Sequence, residues 1–210
     1  MVWKRDEPSP TGLEPDIARE IAKRLGTKAE FVARPSGMRK PRMEMLEGDL
    51  ADIVVSTFTI NESRKERVDF SIPYFTDGLG VLALPGSGIE SSSDLEGKMV
   101  IVRSSTTGFE WAKENLESDN VISSVDVEQV VERLLSKKAH AYINDKSSLE
   151  AMASRNPGVV VLPMYLTGEN WGVAVAKGRP GLLKAINSII RKMTSDGTLV
   201  RFRSKWMKLY

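Results

Sequence analysis

The sequence predicts an α/β chain built as two units, the second inserted into the first. Three observations carry that reading. Short apolar runs that read as strands alternate with amphipathic helical stretches over residues 15–84, and again beyond residue 98. A breaker cluster, Pro85-Gly86-Ser87-Gly88, separates the two series. After the second series one more strand-like run and two helical stretches, about Pro180–Thr194 and Gly197–Lys208, finish the chain.

Composition agrees with a globular protein. The 210 residues, 41% hydrophobic and 28% charged, suffice for one large domain or two small ones with a core each. Thirty basic and 28 acidic residues leave a net charge of +2, which gives no electrostatic case for nucleic acid or an acidic membrane surface. Cysteine is absent and His140 is the single histidine, so disulfides, thiolate metal sites and multi-histidine sites are excluded and no cofactor is expected. No apolar run approaches the roughly 18 residues that cross a bilayer. The amino terminus shows no signal-peptide segment, and Met1 before strand-like Val2-Trp3 reads as a trimmed boundary of an exported protein.

In chain order, Pro15 to Leu25 is a helix with Ile17, Ala18, Ile21, Ala22 and Leu25 on one face, Pro15 in its first turn and Gly26 at its exit. Ala29–Val32 reads as a strand and Arg42–Glu47 as a short helix closed by Gly48; with Ile53–Val55 as the next strand this implies a parallel unit. Gly78–Leu84 is an apolar β run. Lys98–Val102 is a strand, followed by Ser104–Gly108 and a helix to about Leu116, where Thr107 and Glu110 have capping-box spacing. Val127–Leu135 is helical, Ala139–Ile143 a strand, and Asp145 begins the next helix. Trp171–Ala176 is the further strand.

The chemistry concentrates in Thr57–Phe75, TFTINESRKERVDFSIPYF. Its first polar residues follow Ile53-Val54-Val55 and so sit at a strand's carboxyl end, where open α/β sheets bind ligands. Thr59 and Asn61 are placed to cap a short helix starting near Glu62, whose exposed N–H groups suit an anion. Arg64, one turn on, offers a planar guanidinium that grips a carboxylate with two parallel hydrogen bonds. On spacing alone Arg64 also fits a surface arginine paired with Glu62 or Glu66, Asp145 and Thr107 fit plain helix caps, and Trp171 fits a core residue. Gly86-Ser87-Gly88 lacks the following Lys-Ser or Lys-Thr of a phosphate loop and reads as a turn.

An ordered series of motifs resembles one family across nearly the whole chain. They are GLEPD at Gly12–Asp16, GDLAD at Gly48–Asp52, TINESR at Thr59–Arg64, DFSIPYF at Asp69–Phe75, DLEGKMVIVRSSTT at Asp94–Thr107, AYIND at Ala141–Asp145, ENWGVAVAKG at Glu169–Gly178, and the terminal DGT and FRSKW. Together they are similar to the type II periplasmic solute-binding proteins of amino-acid ABC transporters (family 3), whose fold is shared with ionotropic glutamate receptor ligand-binding domains. The resemblance implies two Rossmann-like lobes of a Venus-flytrap, residues 1–80 with 173–210 and residues 84–170, joined by hinge strands near 79–84 and 169–173. It implies that Arg64 and the N–H and hydroxyl of Thr59 hold an α-carboxylate, that the Thr57 carbonyl and Asp145 take the α-ammonium, and that Ser105, Thr106 and Thr107 meet ligand oxygens from the second lobe. Trp171 would stack on the ligand at the hinge. A zwitterion leaves water only when both charges gain partners.

The first loop, Lys4–Thr11, and the segment Met38–Pro41 lack the aromatics this family uses to sandwich its ligand; Arg39 or Lys40 would face an anionic side chain or solvent. The expected function is extracytoplasmic capture of an amino acid by a monomer that delivers it to a membrane permease. Two alternatives remain at this stage. The same fold serves as the sensory domain of a histidine kinase or ligand-gated channel, and cyclohexadienyl dehydratases resemble the family, with Glu169 or Lys146 as the general-acid candidates.

Overall fold

In a computed structural model of the chain, residues 9–32, 41–124 and 126–207 are described. Their elements run α1 (Leu13–Arg24), α2 (Pro41–Glu47), β1 (Ile53–Val54), α3 (Glu62–Lys65), β2 (Val68–Phe70), β3 (Phe75–Asp77), β4 (Leu79–Ala83), β5 (Val100–Arg103), α4 (Thr107–Asn115), β6 (Val121–Ser124) and α5 (Glu128–Leu135). Then follow β7 (Ala141–Asp145), α6 (Lys146–Ala153), β8 (Val160–Val161), β9 (Glu169–Trp171), β10 (Ala174–Ala176), α7 (Pro180–Ser195) and α8 (Thr198–Trp206). The chain divides into two compact units, Met1–Thr76 with Asn170–Tyr210, and Asp77–Glu169.

In the first unit, β10 lies between β1 and β2 and runs antiparallel to both, with Val54 opposite Ala174 and Ala174 opposite Phe70. This corrects the parallel unit expected from Ala29–Val32, Arg42–Glu47 and Ile53–Val55: residues 29–32 are not a strand, and β1 pairs instead with the strand returning from residue 174, antiparallel. Side chains of a strand alternate faces, and the core follows that period. Val173 and Val175 pack with Ile17 and Ile21 of α1, Ile186 and Ile190 of α7 and Leu199 of α8, while Ala174 packs oppositely with Met43, Leu46, Val54, Phe58 and Val68. Helices therefore cover both faces.

Local differences from expectation have identifiable causes. Ala29–Val32 forms no strand: Val32 is 51% exposed, and Phe31 lies under the Arg19 guanidinium instead of in a ladder. Helix α1 starts two residues early, because Gly12 at φ 136° supplies a backbone turn that a side chain disfavours. The run Trp171–Ala176 breaks at Gly172-Val173, where the Val173 N–H donates to the Ser71 hydroxyl (2.9 Å) rather than to a neighbouring strand. The Val2-Trp3 strand lies outside the described residues.

The second unit is a five-stranded sheet ordered β6-β5-β7-β4-β8, with β5 parallel to β6 and β7, and β4 antiparallel to β7 and β8. Strand β4 is buried throughout, as a central strand covered on both faces must be. Leu79, Val81 and Ala83 pack with Ala112 of α4 and Leu95; Leu82 packs oppositely with Val130 and Leu134 of α5 and Leu149 of α6.

Gly78 is held where no side chain fits: a Cβ there would stand 2.0 Å from the Thr167 carbonyl oxygen and 2.7 Å from Cδ1 of Tyr165. Because the nearest atom is backbone, Gly78→Ala is expected to destabilise by about 2–3 kcal/mol. Gly181→Ala, in open space on α7, is expected to stabilise by roughly 0.5–1 kcal/mol; urea unfolding of both variants checks the opposite signs. At the α7–α8 turn, hydrogen bonds from the Thr198 hydroxyl and N–H, then from Arg24, hold the Asp196 carboxyl down at about 2. That pKa lies below the unfolded carboxyl's, so the contribution is present above pH 4 and lost as pH falls through about 2. Between pH 4 and 2 the wild-type melting temperature should fall more steeply than that of Asp196→Asn.

Candidate functional site

In the first unit the site is built on residues 57–64. The chain leaves β1 and turns at Thr57, held at φ 39°, where the Thr57 N–H donates to Glu14 Oε1 (3.1 Å) and its hydroxyl accepts from Arg42 Nη2 (3.4 Å). Phe58 to Ile60 then pair with Asn170 to Gly172: Ile60 N–H donates to the Asn170 carbonyl (2.8 Å) and Gly172 N–H to the Phe58 carbonyl (3.1 Å). Thr59 and Trp171 face each other inside this antiparallel bridge. The flanking residues make its hydrogen bonds, so the N–H and C=O of Thr59 point together to the edge away from Trp171. Arg64 occupies that edge and donates from Nη1 to the Thr59 carbonyl (2.8 Å).

Arg64 is 7% exposed, and Glu62 pairs with Lys65 (2.7 Å), so the surface-arginine reading does not describe it. Its guanidinium stacks 4.9 Å from the centre of Phe58, a ring that Arg42 approaches at 5.4 Å and Phe70 meets edge-on at 5.0 Å. Asn61 alone caps α3, its Oδ1 accepting from the Arg64 N–H (2.9 Å). Thr59, expected as a second cap, instead supplies its carbonyl to the arginine side chain. Trp171 is 1% exposed, stacks on Phe75 at 4.8 Å and belongs to the core with α1; its indole N–H has no acceptor among the described residues.

In the second unit, parallel β5 and β7 end on the same side of the sheet, and both ends carry polar residues. After β5, Ser105 takes a left-handed φ of 62°, and Thr106 caps α4 by accepting from the Phe109 N–H (3.3 Å) while donating to the Arg103 carbonyl (2.6 Å). The cap is thus Thr106 and not Thr107: Thr106 is extended, whereas Thr107 is already the first helical residue. Gly108 lets α4 lie against β7, since a Cβ there would come 3.3 Å from the Ile143 carbonyl oxygen. Asp145 ends β7 at the N-cap position of α6, yet its side chain makes no capping bond. Asp77 caps instead, Oδ2 accepting from the Ser147 N–H (3.2 Å) and hydroxyl (2.6 Å).

The expected residues therefore fall in two groups: Thr57, Thr59, Arg64 and Trp171 in the first unit, Ser105, Thr106, Thr107 and Asp145 in the second. Sequence reasoning missed Glu14, Phe58 and Asp77, although Glu14 lies inside the quoted GLEPD. Arg39, Lys40 and Lys4–Glu7 lie outside the described residues. Lys146, weighed as a general acid, places its ammonium 4.1 Å above the Tyr165 ring. Among the described residues no acid, histidine or cysteine cluster is arranged for a metal, and no helix is long and apolar enough to cross a membrane.

This architecture is that of the type II periplasmic binding proteins. An ancestral arginine-binding protein bound to glutamine superposes with a TM-score of 0.84 at 31% identity, covering 98% of this chain and 91% of that one. The ancestral amino acid-binding protein AncCDT-1, a precursor of cyclohexadienyl dehydratase, gives 0.80 at 33% identity over 94% and 85%. The glutamine-binding protein GlnH of a Bacillus subtilis (strain 168) ABC transporter is 34% identical over 201 residues, 94% of this chain and 72% of that protein. The family model for bacterial extracellular solute-binding proteins, family 3, matches residues 1–209, and the chain belongs to that family.

Glu14 fixes the strained Thr57 turn from a helix 43 residues away. Glu14→Ala is expected to lower stability by about 1–2 kcal/mol, the worth of a charge-assisted hydrogen bond in a half-buried place, measured by urea unfolding.

Proposed function

We propose that the protein captures an amino acid outside the cytoplasm and delivers it, as a monomer, to the permease of an ABC transporter, without chemical change. The observation that carries this reading is the shared edge of Thr59 and Arg64. A guanidinium and a backbone N–H directed to one side suit the two oxygens of an α-carboxylate. The two units act as lobes, with hinges where the chain passes between them, at residues 76–77 and 169–170; the hinge expected near 79–84 shifts toward the amino terminus because Leu79–Ala83 is a buried central strand of the second unit. Asp145 and the Thr57 carbonyl receive the α-ammonium, and the Ser105 to Thr107 turn supplies hydroxyls and helix-end N–H groups to ligand oxygens. Trp171 backs the strand that presents Thr59. Ligand held by both lobes selects the closed population by its differential contacts.

Binding rather than catalysis is supported by the names of the similar proteins and by the packing of the Lys146 ammonium on an aromatic ring. Incubation with prephenate or arogenate should show no turnover.

A melting-shift screen of the twenty standard amino acids and L-cystine should find at least one that raises the melting temperature, because a ligand binding only the folded state stabilises it. For that amino acid Arg64→Ala should weaken binding by two decades or more in calorimetry, since a carboxylate buried without its partner costs about 3–5 kcal/mol. Unchanged affinity in a folded variant would remove Arg64 from the site.

A further inference from the structure

We infer that Asp77 is a positioning residue for the ligand's ammonium: it takes over the capping of α6 and so keeps the Asp145 carboxylate off its own helix. The inference rests on the assignment of Asp145 proposed above. Its source is strand register. Leu79 pairs with Asp145 in the antiparallel β4–β7 ladder, and the Lys146 N–H donates to the Gly78 carbonyl (2.9 Å). One further step of the same register sets Asp77 opposite Ser147, where Asp77 Oδ2 accepts from both the backbone N–H and the hydroxyl. Asp77 is 9% exposed, and the chain beside it is fixed by the Leu79 N–H on the Thr167 hydroxyl (3.2 Å) and by Gly78 against the Thr167 carbonyl.

An aspartate at an N-cap ordinarily accepts from the N–H two or three residues on. For Asp145 those donors include the Ser147 N–H, which Asp77 already holds. Two carboxylates thus stand at one helix start with divided work: Asp77 accepts from the helix, and Asp145 makes no capping bond to it. Without Asp77, the Ser147 N–H would lose its acceptor, and Asp145 is the carboxylate in position to replace it. Ligand would then have to draw Asp145 off a cap, lowering ammonium recognition by the worth of that cap, about 2- to 30-fold in an equilibrium constant.

The test compares each standard L-amino acid, or L-cystine, that binds with the 2-hydroxy acid bearing the same side chain, which lacks the ammonium. By calorimetry on the full chain, the preference for the amino acid should fall about 2- to 30-fold in Asp77→Ala. It should fall less in Asp77→Asn, which retains an acceptor oxygen, and no further when Asp77→Ala is added to Asp145→Asn. A purely structural residue would weaken both compounds alike; an unchanged preference overturns the inference. A second readout needs no ligand. In the crystal structure of unliganded Asp77→Ala, the Asp145 carboxylate should turn onto the Ser147 N–H, and a carboxylate that stays in place overturns the inference. Failure of every amino acid to bind rejects the proposed function, while this structure still decides the capping. If Asp77→Ala does not fold, Asp77→Leu, of similar size and likewise without an acceptor, is read in the same way.

Discussion

A buried guanidinium sets the terms for the first unit. Arg64 is 7% exposed, and an arginine does not shed its charge, so the chain around it must supply acceptors and a polarisable surface. The Thr59 carbonyl and the face of Phe58 do so. Neither is in place unless residues 58–60 are extended, and they are extended because they pair with residues 170–172. The helix that carries Arg64 has four residues, too few to stand alone, and is held by the Asn61 cap. The surroundings of Arg64 are therefore finished only when the chain has traversed the second unit and returned, a pairing across more than a hundred residues that carries a loop-closure entropy.

The same distinction between local and returning contacts explains what the sequence made legible. The TINESR segment could be read because a cap and its helix lie within a few residues: Asn61 accepts from Arg64, and Thr106 from Phe109, each three positions on. The period of α1, α7 and β4 was readable for the same reason. The one-residue error between Thr106 and Thr107 arose because adjacent threonines satisfy the same pattern, and only backbone dihedrals separate the extended residue from the helical one. Ala29–Val32 was misread because β-formers specify a strand only when a neighbour buries them, and Val32 is half exposed.

What escaped the sequence are acceptors reaching across the fold. Glu14 holds the Thr57 N–H from 43 residues away, and Asp77 holds Ser147 from 70. In sequence both look like ordinary carboxylates, Glu14 in the first turn of a helix and Asp77 after an aromatic run. The place of β10 escaped likewise: Trp171–Ala176 reads as a strand, but nothing local says that Ala174–Ala176 slots between β1 and β2 and runs antiparallel to both. Trp171 and Phe58 show the aromatic version of the problem. A ring in a motif reads equally as ligand platform or core until its neighbours are known, and here both rings are buried, at 1% and 2% exposure.

These long-range carboxylates share one physical role that bears on how the site works. Each satisfies a backbone N–H at a point where the chain changes direction beside a proposed ligand contact, at Thr57 in the first unit and at the start of α6 in the second. A backbone held by charge-assisted bonds has less entropy to lose when ligand arrives, so more of the contact energy remains as affinity. Loops that bend to meet a ligand are ordinarily the weakly held parts of a fold. Here the bends are anchored from strands and helices elsewhere in the same unit. Each bend is thus held from within its own unit before any ligand arrives.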